Sequence, residues 1–220
     1  MRAIAFGIAT AACVAASASA GLVNPLIPGW AGGPQTQYAA WESFTQAGGG
    51  ANLPDQAGSA PYTLMNYSSG ATISSAGNIY GAGSPLFIMI MGGTLGNSAT
   101  PTEVVMNVAT AGSVLSVSSV RLWLFDNAGN YSFAGPTTSQ LRADAPSPPQ
   151  GSAQTWAFTW SVANPTFVAT GFRLEFLASA ANMSLDAVRV DMNYAPIPAP
   201  GAFALLAGAG VLAGRRRRAS

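Results

Sequence analysis

Three oxygen-bearing side chains stand close together near the middle of the sequence. Asp126, Asn127 and Asn130 lie within five consecutive residues. Carboxylate and amide oxygens are the ligands that Ca²⁺ takes in proteins, so this segment is a candidate calcium site. The same residues suit a hairpin turn, because an Asn- and Gly-rich segment here separates a run that ends at Phe125 from one that begins at Tyr131. We expect the turn, with calcium as the alternative.

Aromatic side chains just before this segment could bind carbohydrate. Val120, Leu122 and Leu124 alternate with Trp123 and Phe125, so the two sets lie on opposite faces of a predicted strand. If the first set belongs to the core, Trp123 and Phe125 are exposed and could stack on sugar rings. A loop over that face would bury them instead, and both interpretations stay open at this point.

Several residue types that are common in active sites are absent from the predicted mature chain. The sequence has no His and no Lys, and its one Cys, Cys13, lies in the predicted signal peptide. These absences exclude an imidazole base, an amine nucleophile, a catalytic thiolate and a Cys/His zinc site. Paired carboxylates remain, of the kind that glycosidases use, but none of the acids sits in a recognisable active-site motif. We therefore expect no enzyme activity, and no cofactor unless calcium is one.

The elements that position these side chains are predicted to be strands. Short runs rich in Val, Leu, Phe, Trp and Thr recur between Gly, Pro, Asn and Ser clusters, at the spacing of an antiparallel sandwich. We predict an all-β fold, an antiparallel β-sandwich of jelly-roll-like type. The predicted strands are 62–67, 86–91, 104–109, 114–125, 131–134, 156–162, 166–177 and 183–192.

Three local patterns refine this prediction. Segment 172–176 alternates apolar with charged residues, which predicts a strand with one buried face. Segment 185–190 shifts phase by one residue, which predicts a β-bulge at Asp186 and Ala187. The one helix candidate is 38–45, where the larger side chains fall on one side of a helix.

The net charge and the length of the chain limit the function classes that remain. Residues 21–195 suit one domain with a single core, and they carry four arginines against eight acids, a net charge of −4. Because no basic surface remains, we do not expect nucleic-acid binding. The Pro-rich segment 146–152 is predicted to be a rigid loop that cannot pair in a sheet. A second candidate calcium site would need Asp186 and Asp191 to meet an N-terminal acid such as Glu42.

Both ends of the sequence predict export. Arg2, the apolar stretch 3–16 and the motif Ala18-Ser19-Ala20 form a signal peptide, so we expect signal peptidase to remove residues 1–20. At the other end, residues 196–220 hold a Pro-rich stalk, the apolar run 201–214 and four arginines. As a short hydrophobic helix the run of 14 residues would span about 21 Å, less than the roughly 30 Å core of a bilayer.

The four arginines resist translocation, so they should stay on the cytoplasmic side of the membrane and leave everything before Pro196 outside the cell. The residues that define this sorting signal are Pro198, Pro200, Arg215, Arg216, Arg217 and Arg218. Together with the signal peptide they resemble a PEP-CTERM tail, which marks exported bacterial proteins processed by exosortases. Ala199 stands where the family motif has Glu. The resemblance covers only the tail and implies an exosortase-type enzyme as a partner; an anchor that is never cleaved is the alternative.

Two functions remain open after these observations. The first is a non-catalytic protein of the bacterial cell surface or extracellular matrix, associated with envelope polysaccharide. The second is a carbohydrate-binding module with a defined glycan site at Trp123 and Phe125. In both cases we expect a cell-envelope or extracellular location, with a transient or permanent C-terminal membrane anchor.

Overall fold

The computed structural model describes residues 21–58, 61–95, 99–147, 151–162 and 167–196. Within these ranges the chain forms thirteen β-strands and one short 3-10 turn, Val117–Ser119, with no α-helix. The prediction of an all-β protein is therefore confirmed. The predicted signal peptide and the predicted tail from residue 197 onward lie outside the described residues.

The strands range in length from two to 14 residues. In chain order they are β1 Thr36–Trp41, β2 Gln56–Ala57, β3 Tyr62–Asn66, β4 Ala71–Ile73, β5 Ile79–Gly81, β6 Phe87–Gly93, β7 Ala99–Gly112, β8 Arg121–Phe125, β9 Tyr131–Ala134, β10 Thr138–Pro146, β11 Ser152–Ser161, β12 Gly171–Leu177 and β13 Met183–Pro196.

The strands form two antiparallel sheets. The eight-stranded sheet has the order β10-β11-β7-β13-β1-β2, with β5 joined to β13 and β4 joined to β5. The five-stranded sheet has the order β3-β6-β12-β8-β9. Every pairing between these strands is antiparallel, as the sequence predicted.

The inner faces of both sheets contribute to one hydrophobic core. In β12 Phe172, Leu174 and Phe176 are fully buried, whereas Arg173 and Glu175 are half-buried on the outer face. This confirms the alternation predicted for 172–176 and follows from the two-residue period of a strand. Burial of such apolar side chains is the main favourable contribution to folding.

Strand β13 lies in the middle of the larger sheet, between β7 and β1. Its register with β7 shifts between Leu185 and Ala187, which confirms the predicted bulge. A bulge places two residues of one strand opposite one residue of its partner. Asp186 is the extra residue here.

The helix predicted for 38–45 is wrong. Residues 36–41 form β1, which pairs with β13 from Thr36 opposite Asn193 to Trp41 opposite Val188. Ala39 and Trp41 are fully buried, as expected for alternate residues on the inner face of a sheet. Pairing with a long central strand outweighs the weak helical pattern of so short a segment.

Two further predictions need correction. The strand predicted for 114–125 is interrupted by the 3-10 turn, in which the hydroxyl of Ser119 donates to the carbonyl of Ser116, and only β8 remains of it. The segment 146–152 was expected not to pair, yet Pro146 lies opposite Ser152 at the end of β10 and β11. Proline is tolerated there because it is the terminal residue of an edge strand.

The C-terminal end of β13 reaches the segment that the sequence assigns to the stalk. Pro196 lies opposite Ala99 in β7. Among the described residues, no helix is long and apolar enough to span a membrane. The apolar run 201–214 lies outside those residues.

Candidate functional site

The segment 126–130 connects β8 and β9, and its own side chains organise the turn. Asp126 Oδ1 accepts hydrogen bonds from the backbone N–H groups of Ala128 and Asn130, each at 2.9 Å. Asp126 Oδ2 accepts one from Asn130 Nδ2 at 2.8 Å. These bonds, above all the one from the Asn130 side chain, hold the pKa of Asp126 below its ordinary range. The segment is therefore a hairpin turn in which both carboxylate oxygens have donors.

The third residue of the candidate calcium site takes a different partner. Asn127 Oδ1 accepts a hydrogen bond from the hydroxyl of Thr170 at 3.2 Å, which ties the turn to the residue before β12. Within the described ranges no group of three or more His, Cys, Asp or Glu residues could hold a metal ion. Calcium binding by Asp126, Asn127 and Asn130 stays a prediction.

The hairpin brings four aromatic side chains together on the outer face of the five-stranded sheet. Trp123 lies opposite Phe133, and Phe125 lies opposite Tyr131. The inward residues of β8, Leu122 among them, are buried in the core, so the face assignment made from the sequence holds. We call Trp123, Phe125, Tyr131 and Phe133 the aromatic face.

Exposure differs among these four rings. Tyr131 and Phe133 on the edge strand are 65% and 59% exposed, and Phe125 is 37% exposed. Trp123 is only half-buried rather than open. The most accessible aromatic surface therefore belongs to β9, not to the two residues that the sequence singled out.

Trp123 is flanked on both sides. Its ring centroid lies 4.7 Å from that of Phe133 and 5.9 Å from that of Tyr131, while the guanidinium of Arg173 lies 4.5 Å from the same centroid. Because β8 runs between β12 and β9, the cation and the aromatic neighbours approach from opposite sides. Trp123 therefore acts mainly as a packing partner of Phe133, and its own ring face is less accessible to a ligand.

Phe125 is also held in place by the strand beside it. It lies opposite Gly171 in β12, and a Cβ atom on that glycine would come within 2.4 Å of the Phe125 ring. The ring therefore packs directly on the glycine backbone, a close approach that only glycine permits. One side of Phe125 is covered as a result.

Polar groups border the aromatic face. Arg173 Nε lies 3.2 Å from Glu175 Oε2, but the two are not aligned for a hydrogen bond. Two buried side-chain nitrogens in the described part of the chain lack a hydrogen-bond partner, Arg173 Nε and Trp123 Nε1, and both belong to this cluster. Stacking surfaces next to guanidinium and carboxylate groups can hold a sugar ring and bond its hydroxyls.

Tyr131 and Phe133 are the functional candidates that the sequence interpretation missed. The predicted strand 131–134 has its observed bounds, and Tyr131 and Phe133 alternate along it. Continuing the hairpin register from Phe125 would have placed both rings beside the two aromatic residues of β8. The sequence signal for these two residues was their alternation along β9.

The second candidate calcium site does not form. Asp186 Oδ1 accepts from Asn78 and Ser184, whereas Asp191 forms an ion pair with Arg189 at 2.7 Å. Glu42 is exposed. The acids take separate partners, and no metal-binding group contains them among the described residues.

The sorting residues Pro198, Pro200 and 215–218 lie outside the described residues. No protein-family model matches this chain, and no curated protein matches it either. The candidate site is therefore defined by its geometry alone.

Proposed function

We propose that this is a non-catalytic, exported protein of the bacterial cell surface or extracellular matrix, and that it associates with envelope polysaccharide through the aromatic face. One observation carries the proposal. Tyr131 and Phe133 stand side by side on an edge strand and are both more than half exposed. Large aromatic side chains gathered on an open surface mark an interaction site.

The chemistry of the aromatic face favours carbohydrate. Aromatic rings pack on the apolar faces of sugar rings, and nearby polar side chains bond the hydroxyls. Tyr131 and Phe133 supply the rings, while Arg173 and Glu175 lie two positions apart on β12, on the other side of β8. Because Trp123 and Phe125 are held by their neighbours, the surface is organised before any ligand arrives, which lowers the cost of binding.

Export and sorting form the second part of the proposal. Signal peptidase would remove residues 1–20, and the tail 196–220 would be held in the membrane through 201–214 and processed by an exosortase-type enzyme. The support is the sequence pattern of the two ends. The mature domain, 21–195, would then be released or displayed outside the cell.

We also propose that the sandwich is a jelly roll. Two four-strand paths support this: β1-β13-β7-β11 in one sheet and β6-β12-β8-β9 in the other. Taken in chain order, the eight strands of these two paths change sheet at every step except from β8 to β9, as expected of two Greek keys rolled together. An experimental structure with a different strand order would contradict it.

A carbohydrate-binding module with a defined glycan site is the second candidate. The fixed position of Trp123 between Arg173 and Phe133 favours it, since a rigid, asymmetric surface can select among ligands. A glycan array on the mature protein separates the two candidates. One tight ligand class indicates a module, and weak binding to many host polysaccharides indicates general matrix association.

The test of the aromatic face is a paired substitution. We expect Tyr131→Ala with Phe133→Ala to abolish retention on polysaccharide from the native host, because both exposed stacking surfaces are lost. Tyr67→Ala is the matched control, since Tyr67 is 51% exposed and follows β3 at the opposite edge of the same sheet. Equal retention of wild type and the double variant in affinity electrophoresis would refute the proposed function.

A further inference from the structure

A polar pocket lies on the outer face of the eight-stranded sheet, and nothing in the proposed function uses it. Its volume is about 390 Å³, at the lower end of the range in which proteins hold small ligands, about 300 to 1,000 Å³. The β4–β5 hairpin, the ends of β7 and β13, Ser147 after β10 and Ala153 in β11 form its walls. Its polar side chains include Asn78, Tyr80, Ser147, Asn182, Ser184 and Asp186.

Asp186 is the chemical centre of the polar pocket. The bulge in β13 presents this carboxylate among the pocket residues, and the side chain is only 2% exposed. Asn78 Nδ2 donates to Asp186 Oδ1 at 2.6 Å, and the hydroxyl of Ser184 donates to the same oxygen at 2.7 Å. No described residue donates to Oδ2. One oxygen of a buried carboxylate is thus left for a ligand.

The pocket has no positive charge to match this carboxylate. Among its described lining residues Asp186 is the only charged group, and the others are neutral amides, hydroxyls, alanines and a glycine. A buried carboxylate is costly without a counter-ion. Burial raises the pKa of Asp186 to about 6, so the group is still mostly ionised at pH 7. A cationic ligand would supply the counter-charge that the lining residues do not.

We propose that the polar pocket binds a single-ring amino sugar through its ammonium group, with Asp186 Oδ2 as the acceptor. The volume suits one sugar ring rather than an oligomer. An ammonium group has three donors and forms a charge-assisted hydrogen bond with a carboxylate. The ring hydroxyls can form hydrogen bonds with the Ser147 hydroxyl and with Asn182 Oδ1. Asn182 Oδ1 already accepts a hydrogen bond from the Tyr80 hydroxyl at 3.0 Å.

The experiment is calorimetric titration of the mature protein at pH 7 with D-glucosamine, and in parallel with D-glucose, which has the same ring without the ammonium group. We expect glucosamine to bind at least tenfold more tightly than glucose. Asp186→Asn keeps the shape of the side chain and should weaken glucosamine binding at least tenfold. Asp144→Asn, at an exposed acid of β10, is the matched control and should leave binding unchanged.

A second variant tests the proposal independently in case Asp186→Asn does not fold. Ala153 lines the pocket from β11, and Ala153→Leu should block glucosamine by occupying space without touching the carboxylate. Equal affinity for glucosamine and glucose, or unchanged glucosamine binding in both variants, would overturn the proposal. Binding of CaCl₂ that depends on Asp186, with no binding of glucosamine, would also overturn it and identify a metal site instead.

Discussion

Replacing Asp186 with Asn should make the stability of the protein less dependent on pH. Asp186 is 2% exposed in β13 and accepts hydrogen bonds from two neutral groups. Burial, the main cause, raises its pKa from the ordinary 3.8 to about 6, although the hydrogen bond from Ser184 opposes the shift. The charged form is therefore less favourable in the folded state than in the unfolded state.

The direction in which stability changes with pH follows from the pH at which each state loses the Asp186 proton. At low pH Asp186 is protonated in both the folded and the unfolded state, so its burial carries no ionisation penalty to the free energy of unfolding. As the pH rises above 3.8 the unfolded chain loses this proton first, so folding becomes less favourable until the folded state ionises near pH 6. The full penalty above pH 7 is about 3 kcal/mol for a shift of this size, and about 1.6 kcal/mol of it has developed at pH 5.

The assay is urea unfolding of wild type and Asp186→Asn at pH 5 and pH 8. Asn cannot ionise, so its stability advantage over wild type should be about 1.4 kcal/mol larger at pH 8 than at pH 5. The substitution also changes the hydrogen bonds with Asn78 and Ser184. This change alters the unfolding free energy equally at both pH values, so it cancels when the two are compared. Asp144→Asn controls for the loss of an exposed carboxylate, and we expect its effect to stay within about 0.5 kcal/mol.

The refuting result is a stability difference between Asp186→Asn and wild type that does not change with pH. It would mean that Asp186 titrates alike in the folded and unfolded states. Solvation of Oδ2 through the open side of the pocket would then offset burial. The ammonium proposal would lose its electrostatic basis with the same measurement.

Three further predictions test other parts of the molecule. Asn107→Ala should lower the unfolding free energy by about 2 to 3 kcal/mol in urea, because the buried amide bonds both Leu26 N, at 2.7 Å, and Leu26 O, at 3.0 Å; a loss smaller than about 1 kcal/mol would mean that water replaces it. Substitution of Arg215 to Arg218 by Ser should weaken membrane retention and abolish processing, and intact mass of the native protein with residues 201–220 still present would point to a permanent anchor. For Asp126 we expect identical melting curves in millimolar calcium and in chelator, whereas a rise in melting temperature that Asp126→Ala removes would identify a calcium site.

The elements that the sequence predicted well are those whose pattern is local. Strand β9 has its predicted bounds, segment 172–176 alternates as expected, and the bulge at Asp186 appears as a phase shift in six residues. Each of these depends on side chains that alternate between a core and an outer face. A period of two residues is visible without any knowledge of the partner strand.

The elements that were missed depend on distant partners. Strand β10 is mostly exposed and polar because it is an edge strand, so it carries no apolar alternation. Strand β1 is only six residues long, and pairing with β13, about 150 residues away in the chain, determines its structure. Local propensity is a weak guide where such pairing dominates.

The same distinction applies to the candidate sites. The exposure of Trp123 could not be predicted because Arg173, which covers it, comes from β12. Asn78 reaches Asp186 across 108 residues of sequence, so the polar pocket had no local signal at all. By contrast, the positions of Tyr131 and Phe133 follow from one hairpin register.

The two candidate sites can be separated because they lie on opposite outer faces of the sandwich. The aromatic face belongs to the five-stranded sheet, whereas Ser184 and Asp186 point away from the core on the eight-stranded sheet. Packed sheets lie about 10 Å apart, and substitutions at that distance without shared partners have additive effects. Loss of stacking at Tyr131 should therefore leave the electrostatics of Asp186 intact. Coupling between the two would mean that polysaccharide binding reorganises the core between the sheets, which the rigid packing of Phe172 and its neighbours opposes.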